Sequence, residues 1–436
     1  MGLQGEQTKE WFTRARSTLI NGVSSQFRYW GDEDTIVIER GEAGHLFDMD
    51  GKRYIDYQLG FGPVILGHGD PDVSSAVAEA AGHATSFAMT QRREIEAAEK
   101  VIEALSWADA MRFTNTGTEA TMHAIRLARG VTGRDIILKF EGQYHGVHDY
   151  VMFSTASAPY EALGSRFRPI PVQSSSGIPE LIQTYVRVLP YNDLELAEAL
   201  FKREGDRIAA VIVEPMLGNT FGIVPVDGFL EGLRELTTNS GSALIFDEVK
   251  TGFRVAAGGA FEYFGVSPDI GTYAKAMGNG FPVAAIASKG DYVEGWKQGG
   301  ISQAGTYSGN GIAAAAANAT VTKLLTGEPL ASVEKIGRSL MDGLEKVLAD
   351  KGVESRITGV PAMFSIFLGS GDIKEFRDGS RHDEELYEKI TMKMIAKGVM
   401  PCPDAKEPWF VCAAHTEEDV ATSLQVFEES LDEALE

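Results

Sequence analysis

Between about residues 71 and 300, short β-rich runs alternate with stretches of helical periodicity. No other feature of the chain constrains its fold as tightly. The runs are MRFTN (111–115), DIILKF (135–140), AAVIVEP (209–215), SALIFDEV (242–249) and VAAIAS (283–288). Between them lie EATMHAIRLARG (119–130) and DGFLEGLRELTTN (227–239), whose apolar residues recur at helical spacing. Apolar runs hidden on both faces and joined by helices imply an α/β fold with a largely parallel sheet.

The flanks read differently. Residues 1–40 are polar with scattered aromatics, a helix followed by an irregular arm. Residues 41–57 alternate apolar and polar around Met49-Asp50-Gly51-Lys52, the pattern of a β-hairpin. Glycines cluster over 60–71, where a loop is expected. From 311 onward come long helices at 311–326 and 329–351, then short strands around 362–368 and 409–413. With 436 residues the chain has room for more than one domain. The expected division is an N-terminal arm and hairpin (1–70) that joins the small domain, a large domain (71–310) and a smaller α+β C-terminal domain (311–436).

Composition narrows the function. A net charge of −22 repels nucleic acid and anionic lipid, so neither is an expected partner. The two cysteines, Cys402 and Cys412, make no disulfide framework, and the eight histidines show no metal-ligand spacing. No metal is expected. Met1 to Glu10 lack the apolar core of a secretory signal, and no run of about 18 apolar residues exists to span a membrane. A cytoplasmic protein is the default expectation.

Open α/β sheets bind ligands at strand ends, and three strand ends carry unusual residues. In FTNTGTEATMHAIR (113–126) a strand, a glycine turn and a helix follow one another. Free N–H groups at Gly117 and Thr118 would make an anion cradle; a simple helix cap and tight turn is the plainer alternative. ALIFDEVKTGFR (243–254) ends an apolar strand on Asp247 and Glu248, and alternation points one of them inward. A buried carboxylate needs a cation or strong donors, and Asp247 could meet a cationic ring nitrogen; a solvated loop pair is the alternative. SPDIGTYAKAMGNGFPVAAI (267–286) places Lys275 after a short strand and before a glycine-rich turn. Lysines usually lie on the surface, but one shielded among Ala, Met and Gly has a lowered pKa and is a competent nucleophile toward carbonyls. Together the phosphate cradle, inward carboxylate and sheltered lysine are what pyridoxal 5'-phosphate (PLP) needs, with Lys275 as its Schiff-base residue.

At these residues the chain resembles the class III aminotransferases of the fold-type I PLP enzymes, most of all their glutamate-1-semialdehyde 2,1-aminomutase branch. The likeness runs from about Gly22 to Val426 and rests on YIDYQLGFGPVILGHGDP, FTNTGTEATMHAIRLARGVTGRD, KFEGQYHG, VEPMLGN, DEVKTGFR and QAGTYSGN. It implies a seven-stranded sheet in the large domain. It also implies catalytic roles for Lys275, Asp247 and Tyr144. Asp247 would pair with the pyridinium and Val249 would pack behind the ring. Tyr144 would stack on the ring with His145 beside it, and Gly117 and Thr118 would hold the phosphate. Asn219 falls where the family contacts the ring hydroxyl, with Glu214 at the end of that strand. Thr306 matches a threonine that reaches the phosphate of the neighbouring subunit, which implies a homodimer with shared sites.

At the substrate end the resemblance places Ser25 and Arg28 on a serine and a carboxylate-gripping arginine, Glu407 on a glutamate at the site mouth, and Phe61 where Trp is expected. No arginine lies between 382 and 436 to bind an oxo acid acceptor. The segment 149–177 lacks the Lys-Ala-Gly-Ser-Gly stretch of the aminomutase gating loop, and GNGFPVAAIAS replaces a more glycine-rich form. An aminotransferase that releases its keto product tolerates a leakier lid. The leading expectation is therefore ping-pong transamination of a carboxylate-bearing α- or β-amino acid with a keto acceptor. The aminomutase reaction, making 5-aminolevulinate for tetrapyrroles, is the alternative, followed by a racemase or epimerase and a non-catalytic cofactor-binding module.

Overall fold

The computed structural model describes residues 2–436. Its centre is a seven-stranded sheet in the order Ala110–Thr114, Ala284–Ser288, Ile270–Tyr273, Ala243–Glu248, Ile208–Val213, Ile136–Phe140, Val186–Leu189. The last five of these pair in parallel, and Ala284–Ser288 runs antiparallel to both of its neighbours. The α/β expectation is met. All six residues of Ile208–Val213 and of Ala243–Glu248 are buried, because helices cover both faces. Each fully buried Val or Ile contributes about 1.5–3 kcal/mol.

One helix decides the geometry of the site. Gly117–Thr132 follows the strand Ala110–Thr114 and buries Ala120, Ala124, Ile125, Leu127 and Ala128 against the sheet. Thr116 caps it: Thr116 Oγ1 accepts from Glu119 N at 3.1 Å while Glu119 Oε2 accepts from Thr116 N at 3.3 Å. It ends at Gly133, whose φ of 68° suits glycine.

The flanking elements pair across the chain. Ile38–Glu42, His45–Asp48 and Arg53–Asp56 form an antiparallel ribbon, and Val399–Met400 adds a parallel fourth strand. The hairpin expected around residues 49–52 joins the second and third strands. Ser355–Val360, Met363–Leu368 and Trp409–Phe410 form a second small sheet, packed under the helices Glu328–Asp350 and Glu417–Leu435. Among the described residues no helix is long and apolar enough to cross a membrane.

Candidate active site

At the C-terminal ends of the parallel strands the chain encloses a cavity of about 140 Å³. Gly117, Thr118, Tyr144, His145, Glu214, Asn219, Asp247, Val249 and Lys275 all line it, so one space gathers nearly every cofactor residue expected from the sequence. Gly146 and Lys250 complete the wall.

Lys275 lies one residue beyond the strand Ile270–Tyr273, after Ala274, and opens a short 3-10 turn. Its φ is 48°, a left-handed conformation that costs a non-glycine residue about 1–3 kcal/mol and persists only where the surroundings impose it. Its Nζ donates to Phe61 O at 2.9 Å. Burial, helped by the nearby Lys250 charge, pushes the Lys275 pKa down to about 7, against the pull of Glu407, Glu214 and Asp247. Much of the amine is therefore free of its proton near neutral pH, as a nucleophile toward a carbonyl must be.

Asp247 ends its strand buried and fully engaged. Oδ1 accepts from Thr272 Oγ1 at 3.0 Å and from Val249 N at 3.2 Å, and Oδ2 lies 2.7 Å from His145 Nδ1. An ionised carboxylate only accepts, so His145 Nδ1 carries the proton of that contact. Alternation was expected to turn one of Asp247 and Glu248 inward. Both are buried, because the strand is covered on its two faces. Glu248 accepts from Tyr273 Oη and from Ala260 N on the opposite face, where burial raises its pKa to about 7.

The anion cradle has room and donors. Gly117 and Thr118 occupy the first helical positions, where N–H groups have no intrahelical acceptor. A Cβ on Gly117 would sit 2.9 Å from Val249 Cγ2, and one on Gly146 would sit 2.6 Å from Thr118 Oγ1. Both glycines keep the backbone close without filling the space.

Glu214 organises the far wall. Its Oε1 accepts from Tyr144 N at 2.7 Å and its Oε2 from Gly218 N at 2.8 Å. Burial and the Asp247 charge raise its pKa to about 7. Burial, with Asp247 and Glu407 nearby, raises that of Tyr144. His145 Nε2 is buried without a hydrogen-bond partner, a polar atom left over for a bound group. Amine, buried carboxylate, unpartnered imidazole nitrogen and anion cradle fit PLP: Lys275 for its aldehyde carbon, Asp247 for its ring nitrogen, Gly117 and Thr118 for its phosphate.

The substrate residues are spread more widely. Glu407 and Phe61 line an outer cavity of about 500 Å³ with Phe27, Tyr29 and Trp30. Arg28 is exposed and faces a neighbouring cavity with Phe61, not the space that holds Lys275. Ser25 is half-buried, and its carbonyl accepts from Arg28 N at 3.0 Å. Thr306 is exposed on a turn away from the Lys275 cavity.

Two residues went unnoticed in the sequence. Lys250 Nζ donates to Gly218 O, Asn219 Oδ1 and Glu407 Oε2, at 2.6, 2.8 and 2.6 Å. Arg254, in the same DEVKTGFR stretch, is fully buried and donates to Gly62, Ala362 and Val411 carbonyls. Their signal was their place just beyond a carboxylate that already mattered.

Comparison with known proteins agrees with this geometry. The family description "Aminotransferase class-III" matches residues 28–428. A protein of Desulfatibacillum aliphaticivorans named glutamate-1-semialdehyde 2,1-aminomutase is 41% identical over 98% of this chain and 99% of its own. An omega-transaminase from Sphaerobacter thermophilus superposes with a TM-score of 0.92 at 29% identity, over 99% of this chain and 98% of that one. A transaminase solved with PLP bound gives a TM-score of 0.89 at 25% identity, over 99% and 98%.

Proposed function

The chain belongs to the class III aminotransferase family, and on that premise we propose that it moves an amino group within one carboxylate-bearing substrate, as a PLP-dependent glutamate-1-semialdehyde 2,1-aminomutase. The observation that carries amino transfer is the convergence of Lys275, Asp247, His145 and the Gly117–Thr118 cradle on one small cavity. The full-length likeness to the Desulfatibacillum protein favours the intramolecular reaction over the intermolecular one first expected.

When bound, PLP supplies an electron-poor ring that withdraws charge from the carbon bearing the substrate amine. The remaining roles fall to the protein. Lys275 Nζ, whose pKa burial lowers to about 7, would hold the cofactor through its aldehyde carbon and, when released, would be the base placed to take up and return the proton of the reacting carbon. The Asp247 carboxylate would keep the proton on the ring nitrogen, with His145 holding Asp247 in place. The Gly117 and Thr118 N–H groups would hold the phosphate. Val249 and Tyr144 would pack against the ring, with the Tyr144 backbone fixed by Glu214. Asn219 would take the ring hydroxyl, and Ser25, Arg28, Phe61 and Glu407 would form the substrate side.

The reading extends to a homodimer, in which Thr306 would serve the neighbouring subunit's phosphate. Thr306 is exposed, as a residue serving the neighbouring subunit's phosphate must be in a single chain. A cytoplasmic setting goes with this reading, in which the two buried cysteines stay as thiols.

Intermolecular transamination stays as a second reading because of one observation. The segment 149–177 is pinned down: Arg166 pairs with Glu375 and Asp193, and Arg377 donates to the Leu163 and Gly164 carbonyls. Such anchoring suits a fixed wall better than a gate that traps an intermediate. Dependence on an acceptor separates the two. Purified, cofactor-loaded enzyme given glutamate-1-semialdehyde alone turns it over to 5-aminolevulinate if both half-reactions act on one substrate. Turnover only with a separate keto acceptor supports transamination instead.

A further inference from the structure

We propose that Lys250 is a positioning residue: it holds the Asn219 side-chain amide with its NH2 toward the cavity, where that NH2 is the donor to the ring oxygen of the cofactor. The proposal rests on the reading of the cavity as a PLP site, and not on which of the two transfers occurs there.

Asn219 stands between two anchored neighbours. Gly218 N donates to Glu214 Oε2 at 2.8 Å, and Thr220 Oγ1 donates to Gly142 O at 2.9 Å. With the backbone held on both sides, the freedom left at Asn219 is which end of its amide enters the cavity it lines. The last torsion of an amide side chain is roughly two-fold, so shape alone does not choose between oxygen and nitrogen.

Lys250 makes the choice. Its Nζ lies 2.8 Å from Asn219 Oδ1. An ammonium has donors and no acceptor, so only the amide oxygen can face it. The lysine has little freedom to yield. Its other two protons go to Gly218 O and Glu407 Oε2, both at 2.6 Å, and its side chain is only 5% exposed. Its head also lies 5.5 Å from the centre of the Phe410 ring. A Cβ on Gly218 would run into Lys250 Cδ, so the lysine stem lies directly against the backbone next to Asn219.

The free end of the amide is therefore a donor, and Asn219 Nδ2 has no acceptor among the described residues. Tyr144, His145, Glu214, Asp247 and Lys275 share the cavity, and none of their side chains hydrogen-bonds to the Asn219 amide. Glu407 reaches it only through Lys250. In the proposed site the acceptor for Nδ2 is the ring oxygen of PLP. A donor there favours the anionic oxygen, so the proton that the oxygen shares with the Lys275 nitrogen leaves at lower pH. An amide oxygen in the same place would repel that charge and do the opposite.

The test follows the pH midpoint of the visible absorption band of the PLP-loaded enzyme. Asn219→Ala raises the midpoint by about one unit, the scale of one hydrogen bond to a charged group. Lys250→Met is made together with Glu407→Gln, so that no carboxylate is left buried without its cation, and Glu407→Gln alone is its reference. Against that reference Lys250→Met also raises the midpoint by about one unit. With Asn219→Ala added to both, Lys250→Met moves the midpoint by less than half as much, because the group it acts through is gone. An ion pair that only braced the fold would lower the unfolding temperature of the cofactor-free protein and leave the midpoint in place. The proposal is overturned if Asn219→Ala keeps the wild-type midpoint, if Lys250→Met keeps that of its reference, or if half or more of the Lys250→Met shift survives without Asn219. Asn219→Ala leaves the Lys250–Glu407 pair intact, so its result decides the matter even where Lys250→Met does not fold. Any of these outcomes in an enzyme that shows the cofactor band defeats this proposal alone. A wild type that forms no band with PLP defeats the PLP reading itself.

Discussion

His145 Nδ1 and Asp247 Oδ2 lie 2.7 Å apart with both side chains shut off from solvent. The contact joins the loop after Ile136–Phe140 to the end of Ala243–Glu248, two strands separated in the sheet by Ile208–Val213. It aims a buried carboxylate at the centre of the cavity and leaves His145 Nε2 unpartnered.

Asp247→Asn removes the charge while keeping the shape. Turnover should fall by about 10²–10³-fold, the scale for losing one preorganised electrostatic group. His145→Gln should cost less, since it acts through Asp247. Steady-state rates at saturating cofactor check both, and equal rates for wild type and Asp247→Asn would remove Asp247 from the chemistry.

Gly117→Ala puts a methyl group 2.9 Å from Val249 Cγ2, in the cradle itself. Overpacking of about 1–3 kcal/mol corresponds to roughly 5–150-fold weaker cofactor binding. Equilibrium dialysis against PLP measures it directly, and thermal unfolding of the cofactor-free protein shows whether the fold is intact.

Lys275 gives the cofactor-free protein a signature in pH. Its folded pKa, about 7, lies below the unfolded value of 10.5. Between these limits the unfolded chain binds the extra proton, so this residue's contribution to stability rises with pH from about 7 to 10.5 and is lost as pH falls back toward 7. The slope approaches about 1.4 kcal/mol per pH unit. Urea titrations of wild type and Lys275→Met at pH 7.5 and 9.5 should show wild type gaining on the variant at the higher pH. A gap that stays constant would contradict the lowered pKa.

Arg254→Met tests the frame. It strips the buried donors from the Gly62, Ala362 and Val411 carbonyls, which tie the loop carrying Phe61 to the small C-terminal sheet. Leaving such groups unpaired costs about 3 kcal/mol or more in total. The urea midpoint should drop with little change in slope. The loosened Phe61 carbonyl, acceptor for Lys275 Nζ, should also lower cofactor affinity.

Much of this was readable before any coordinates. The apolar runs at 135–140, 209–215 and 242–249 announce themselves because a strand covered on both faces has no polar side to show. Gly117, Asp247 and Lys275 stood out because each breaks the pattern of its strand end. The edge strand Val186–Leu189 was missed: four residues with an arginine among them carry too little pattern. The pairing of Val399–Met400 with Arg53–Asp56 was hidden for another reason, since two residues so distant in sequence leave no periodicity to read. Lys250 was invisible because its direction depends on acceptors at 218, 219 and 407, which only the fold brings together. Arg28 shows the converse: a sequence position marks it for the substrate, and the single chain leaves it exposed.

The central claim is that Lys275 is the residue that carries PLP. Reducing the purified enzyme with borohydride and mapping its peptides by mass spectrometry tests this most directly. The account predicts a pyridoxyl group on Lys275, absent from Lys275→Ala. A stable adduct on Lys250, Lys139 or any other lysine, or no adduct on an enzyme that shows the cofactor band, would contradict it.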